Sequence, residues 1–183
     1  MRIADRILRQ WRIRHAADWV RAGDRLLDVG CFDRSLIDRV GDRVESAVGI
    51  DGVAKPSDAD GVRIERGVFP KDLESEPERF DCITALAVLE HVQAPDEFAD
   101  ACHRLLAPGG RVVLTVPHPF VDKIVDALIL LRLADGMDID EHHGFDIDET
   151  GPIFERAGFR TVAVEAFQLG LNRLFVFEKS TTT

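Results

Sequence analysis

Two aspartates on either side of a glycine turn have the types and spacing to hold a ligand. Asp28-Val29-Gly30-Cys31-Phe32-Asp33-Arg34 leaves one short apolar run, and Gly49-Ile50-Asp51-Gly52 closes the next. An acid at the end of a second strand, about 20 residues after a glycine turn, is placed to accept hydrogen bonds from both hydroxyls of a ribose. Asp28, two residues before Gly30, puts negative charge near the turn, which suits a cationic ligand better than a diphosphate. A pyrophosphate cradle needs glycine at all three positions of G-x-G-x-x-G, and here Phe32 and Ser35 hold the second and third. A nicotinamide dinucleotide is therefore disfavoured.

Histidines offer the acid/base chemistry. His91 follows Glu90 at the exit of the strand-like run Ile83 to Leu86, where it reads either as a general base or acceptor positioner, or as a packing residue for the next helix. His118 lies in Val116-Pro117-His118-Pro119, and the loop Glu141-His142-His143-Gly144-Phe145 is placed to close over the same mouth. His142 or His143 then contacts the acceptor, or the loop is simply a polar lid. None of these spacings matches a zinc signature, so no metal is expected. Cys31, Cys82 and Cys102 are an odd set without a spaced framework. They read as buried free thiols in a reducing compartment, with the cytoplasm as the default location.

These residues need elements to position them. Short apolar runs at Arg25 to Val29, Ala47 to Ile50, Ile83 to Leu86, Val112 to Val116, Thr161 to Val164 and Leu174 to Phe177 read as buried strands. Helix-like segments lie between them at Ser35 to Val40, Pro95 to Leu106, Val121 to Leu133 and Thr150 to Ala157. That alternation predicts a parallel α/β sheet covered on both faces. The last two runs sit too close for a helical crossover and predict an antiparallel hairpin around Gly170-Leu171-Asn172. Residues 3 to 20 predict an amphipathic helix, with Ile3, Ile7, Trp11 and Ala16 on the inner face and Arg2, Arg6, Arg9 and Arg12 mostly elsewhere. Those arginines read as a solvated face, or as a receiver for an anionic acceptor or membrane surface. In the 121–133 helix, Ile124, Leu128 and Leu131 share a face that packs on the sheet or covers an apolar acceptor.

The composition narrows the partners. The chain has 183 residues, a net charge of −10 and 45% hydrophobic residues, consistent with one soluble globular domain. So negative a chain repels nucleic-acid phosphates, which makes nucleic acid a disfavoured partner. No secretory leader is recognisable at the amino terminus, and no apolar stretch approaches the ~20 residues of a membrane span.

Taken in order, LLDVGC (26–31), VGID (48–51), FDCITALAVLEHV (80–92), LLAPGGRVVLTVP (105–117), AGF (157–159) and FQLGLNRLFVFEK (167–179) resemble the class I S-adenosylmethionine-dependent methyltransferases. The resemblance implies a Rossmann-like, doubly wound, mostly parallel seven-stranded sheet with an antiparallel C-terminal edge hairpin. It implies a single domain over 1–183, with an N-terminal helix in 1–23 and an acceptor lid in 118–145. S-adenosylmethionine is the implied cofactor. Its methionine part falls on Asp28, Gly30 and Cys31 and its ribose on Asp51, Gly52 leaves room for the adenine and Val68 packs on it, and Phe32 and Leu86 are further cofactor contacts; His91, His118 and His143 are the candidates on the acceptor side.

Where the family continues Gly-x-Gly-x-Gly, this chain has Phe32 and Arg34 at the second and third glycines. Side chains there are costly if the backbone keeps a positive φ. If the turn is reshaped, Phe32 can cover the cofactor. The implied activity is methyl transfer to a small-molecule, lipid-linked or glycan-type acceptor. The alternative is a noncatalytic S-adenosylmethionine- or S-adenosylhomocysteine-binding or interaction domain of the same fold.

Overall fold

The computed structural model describes residues 3–73, 79–117 and 145–180. His118, His142, His143 and the expected 121–133 helix lie outside the described residues, as does nearly all of the expected 118–145 lid. The elements are α1 (Ile3–Ala17), β1 (Arg25–Val29), α2 (Ser35–Val40), β2 (Ser46–Asp51), β3 (Ser57–Ala59), β4 (Val62–Arg66) and β5 (Phe80–Leu86). They continue with α3 (Pro95–Leu105), β6 (Leu106–Pro117), α4 (Thr150–Arg156), β7 (Phe159–Phe167) and β8 (Asn172–Lys179).

Among the described residues eight strands form one sheet, in the order β3-β4-β2-β1-β5-β6-β8-β7. From β4 to β6 the neighbours run parallel, and β8 then pairs antiparallel with both β6 and β7. The parallel body and the C-terminal hairpin are those expected from the apolar runs. One further strand lies at the opposite edge: β3 pairs antiparallel with β4 and is exposed at all three residues. The six apolar runs include neither β3 nor β4, since Ser57–Ala59 holds no large apolar residue and Val62–Arg66 is buried only at Ile64; the expectation of seven strands rests on the resemblance.

The continuous apolar strands divide their side chains between two layers. Leu26, Ala47, Cys82 and Val113 pack with Ile13, Ala16, Leu36 and Ile37 beneath α1 and α2. Leu27, Val48, Ile83 and Val112 pack with Phe98, Cys102 and Phe154 beneath α3 and α4. In the second layer the Phe154 and Phe177 rings stack at 4.5 Å, and Phe69 meets Phe98 edge-on at 5.0 Å. α3 begins with Pro95 in its first turn, carries Asp96 and Glu97 there and His103 and Arg104 in its last turn, all favourable to the helix dipole.

α1 departs from its expected orientation. Ile7 and Trp11 are 58% and 43% exposed, whereas Ile13, Ala16, Ala17 and, just beyond the helix, Val20 are buried. Small alanines let the helix approach the sheet closely, and the larger side chains cannot occupy that face. A buried ion pair secures the region: Arg111, midway along β6, pairs with Asp24 and donates from Nε to the Trp19 carbonyl at 2.6 Å.

Candidate functional site

Strand alternation places Asp28 on the same side of β1 as Leu26, beneath α1, in an otherwise apolar layer. It is 3% exposed, and Thr84 of the adjacent β5 donates its hydroxyl to Asp28 Oδ1 at 2.7 Å. Burial pushes the carboxyl up to about 7, against the opposing pull of the Thr84 hydrogen bond and the Arg9 charge. Asp28 is thus a buried acid that changes charge near neutrality.

The chain turns at Gly30, whose φ of 74° and whose amide bond to the Ile50 carbonyl at 2.8 Å carry it off β1. A Cβ there would fall 2.5 Å from Val88 Cγ2. Phe32 and Arg34 follow at φ 47° and 58°, so the backbone keeps the left-handed conformation that glycine favours. Of the two outcomes expected for these replacements, the structure shows the strained one. It also leaves the Phe32 ring 54% exposed at the cavity wall. Cys31 is buried, and desolvation pushes its thiol up to about 12, which suits packing and not nucleophilic attack.

Asp51 ends β2 and faces this loop. Its Oδ2 accepts the Phe32 amide at 3.1 Å and its Oδ1 the Val53 amide at 2.8 Å. A carboxylate has about four lone-pair sites, so two backbone bonds orient Asp51 and leave acceptor capacity for a diol.

These groups surround a cavity of about 410 Å³. Asp28, Gly30, Cys31 and Phe32 come from the first-strand exit, Asp51 from the second, and Leu86, Ala87, Val88 and His91 from the β5 exit. α1 supplies Arg9, Arg12 and Ile13. His91, in the short 3₁₀ turn Leu89–His91, is the one expected acceptor-side histidine that lies within the described residues. Gly52 and Val68 lie outside the lining. The Gly52 carbonyl accepts Arg66 Nε at 3.0 Å, and exposed Val68 donates its amide to Asp72 at 2.8 Å.

Arg9 and Arg12 of α1 belong to the set expected either on a solvated face or as a receiver for an anionic acceptor or membrane surface, and both line the cavity. Burial lowers the pKa of the Arg12 guanidinium, with the Glu90 charge pulling the other way. Arg9 forks onto the Asp33 carboxylate, with Nη1 to Oδ2 at 2.6 Å, and its guanidinium lies 5.1 Å from the Phe32 ring centroid. No local sequence pattern signals this, because α1 turns Ile13, Ala16 and Ala17 to the sheet and leaves Ile7 and Trp11 exposed.

Among the described residues no group of three or more His, Cys, Asp and Glu side chains could hold a metal ion, and no helix is long and apolar enough to cross a membrane. The cavity instead combines a buried acid at its floor, a partly desolvated arginine and a rim acid. That donor set fits a ligand carrying an ammonium or sulfonium, a carboxylate and a ribose. The volume falls within the ~300–1,000 Å³ typical of small-molecule sites.

A family model described as a methyltransferase domain matches residues 2–164. The chain is 36% identical over 125 residues to a ubiquinone biosynthesis O-methyltransferase of Pseudomonas syringae pv. tomato, covering 61% of this chain and 54% of the relative. It thus spans about half the length of the curated relatives it matches. Among solved structures, an S-adenosylmethionine-dependent methyltransferase from Mesorhizobium loti superposes with a TM-score of 0.68 at 18% identity, covering 91% of this chain and 100% of that one. The 1,6-didemethyltoxoflavin-N1-methyltransferase of Burkholderia thailandensis, solved with S-adenosylhomocysteine and 1,6-didemethyltoxoflavin, gives 0.68 at 19% identity over 92% of this chain and 78% of that one. At these identities the structural matches establish the fold.

Proposed function

The chain belongs to the methyltransferase-domain family, and from that premise we propose that it transfers a methyl group from S-adenosylmethionine to a small-molecule acceptor, lipid-linked and glycan-type molecules included. The observation that carries this reading is the pair of acids, Asp28 buried and Asp51 at the rim, bracketing the left-handed Gly30 turn around one cavity with Arg12.

When bound, S-adenosylmethionine supplies an electrophilic methyl group on a sulfonium. Asp51, oriented by the Phe32 and Val53 amides, holds the ribose hydroxyls with its remaining lone pairs. Asp28 would meet the ligand ammonium, and an opposite charge there would favour the carboxylate that burial opposes. Arg12 faces the ligand carboxylate from α1, while Cys31 and Leu86 provide apolar wall. Gly52 and Val68, outside the cavity lining, are proposed for the adenine end on sequence grounds. His91 stands on the acceptor side, placed to orient the nucleophile or take its proton. His118 and His143 are proposed for the same side on sequence grounds.

The second reading, a noncatalytic binding domain, is favoured by the strained Phe32 and Arg34 in place of glycines. Incubation with methyl-labelled S-adenosylmethionine and fractionated small-molecule extract separates the two. Label moving into an extract fraction, and lost with His91→Ala, supports transfer. Cofactor binding with no transfer to any fraction supports the noncatalytic domain.

A further inference from the structure

We propose that Arg9 is a positioning residue for the cofactor: it ties α1 to the strained first-strand loop and holds the Phe32 ring as a wall of the cavity. The proposal rests on the reading of that cavity as the cofactor site.

The loop does not hold its shape for free. Phe32 and Arg34 carry side chains at positive φ, a conformation that a residue with a Cβ holds only at a cost in free energy. Without contacts that apply only to the left-handed form, both would relax to negative φ. Two sets of contacts supply that bias. On the sheet side, the Phe32 amide donates to Asp51 and the Arg34 amide to the Cys31 carbonyl at 2.7 Å. On the helix side, Arg9 donates to both oxygens of Asp33, the residue between the two strained positions.

Asp33 is a hub. Besides the Arg9 fork, it accepts the Ser35 hydroxyl at 2.6 Å and the Ser35 amide at 3.2 Å, at the start of α2. α1, the loop and α2 therefore meet at one carboxylate.

Arg9 engages the loop in two ways that only a guanidinium combines. Its N–H edge grips Asp33 while the cation lies over the Phe32 ring at 5.1 Å. A lysine ammonium is a point charge and lacks the planar fork. With its side chain 19% exposed, Arg9 is held against the loop rather than extended into solvent. Its charge is matched by Asp33, so it is not a spare cation for a ligand. Arg12, one turn further along α1, lines the cavity without that partner. The two arginines thus divide the work: Arg12 meets the ligand and Arg9 sets the wall.

The consequence reaches the ribose acid. Because the Phe32 amide is one of two donors that orient Asp51, a loop released from α1 also releases Asp51. Arg9 also lines the cavity and its charge acts on Asp28, while its positioning role runs through Phe32 and Asp51.

The test is a double-mutant cycle read by calorimetric titration of S-adenosylhomocysteine, with amide hydrogen exchange on the ligand-free protein. Arg9→Ala should weaken S-adenosylhomocysteine about tenfold, and Arg9→Lys should recover little of that. In a Phe32→Gly background Arg9→Ala should cost much less than that, since no ring is left to hold and glycine takes the positive φ without cost. Arg9→Ala binding as tightly as wild type overturns the proposal. So does an Arg9→Ala loss of equal size with Phe32 and with Gly at position 32, which would mean that Arg9 meets the ligand directly. Asp33→Asn breaks the same pair without touching α1, and serves where Arg9→Ala does not fold. If wild type itself fails to bind, the cofactor reading falls, and hydrogen exchange still judges the clamp. Faster exchange of the Phe32 and Asp33 amides in Arg9→Ala supports it, and unchanged exchange overturns it.

Discussion

Asp28 gives the site its pH dependence. The carboxyl titrates near 7 in the folded chain against 3.8 for the ordinary group, so between these values the folded state holds a proton that the unfolded state has released. Stability therefore falls as pH rises through that window. Asp28→Asn should remove this fall and be the more stable protein above neutrality, a difference visible in denaturant midpoints compared from about pH 4 to 8. Affinity for a cationic ligand runs the other way, rising through neutrality in wild type and flat in Asp28→Asn. Gly30→Ala combines a φ of 74° with a Cβ 2.5 Å from Val88 Cγ2. It should cost about 1–3 kcal/mol in chemical denaturation and abolish ligand binding. Asp28, Gly30 and Asp51 were legible as residues because strand alternation and the spacing from one strand exit to the next are local patterns. The strain at Phe32 and Arg34 was legible only as a choice between two conformations.

At the scale of elements, six of the eight described strands were readable from apolar runs and α1 was readable as a helix, but its orientation was not. A wheel weighted by large residues points Ile7 and Trp11 inward, whereas the close contact is made by Ala16 and Ala17 with Ile13. That rotation brings Arg9 and Arg12 over the cavity, and it depends on the shape of the sheet, which no local pattern encodes. β3 escaped for a simpler reason: Ser57–Ala59 contains no large apolar residue. The connection from α1 to β1 is locked by Asp24 and Arg111, 87 residues apart in sequence and both buried. Asp24→Ala leaves the Arg111 charge buried and should destabilise by about 3–5 kcal/mol. Asp24→Leu with Arg111→Met should recover most of that loss, as read by thermal unfolding.

For the whole molecule, a parallel sheet covered on both faces brings the exits of β1, β2 and β5 to one edge, so residues 28, 51 and 91 meet across more than 60 positions of sequence. The charge of −10 conceals an uneven distribution, since five arginines and one aspartate occupy the first 14 residues. Two of those arginines line the site, where an acidic floor and rim would otherwise be unopposed. The most direct measurement is a calorimetric titration of S-adenosylmethionine, S-adenosylhomocysteine and NAD into wild type and Asp51→Ala. Both sulfur ligands should bind wild type with one site per chain, NAD should not, and Asp51→Ala should lose at least tenfold in affinity. Failure of both sulfur ligands to bind at millimolar concentration would contradict the cofactor assignment, and binding unaffected by Asp51→Ala would contradict the placement of the ribose.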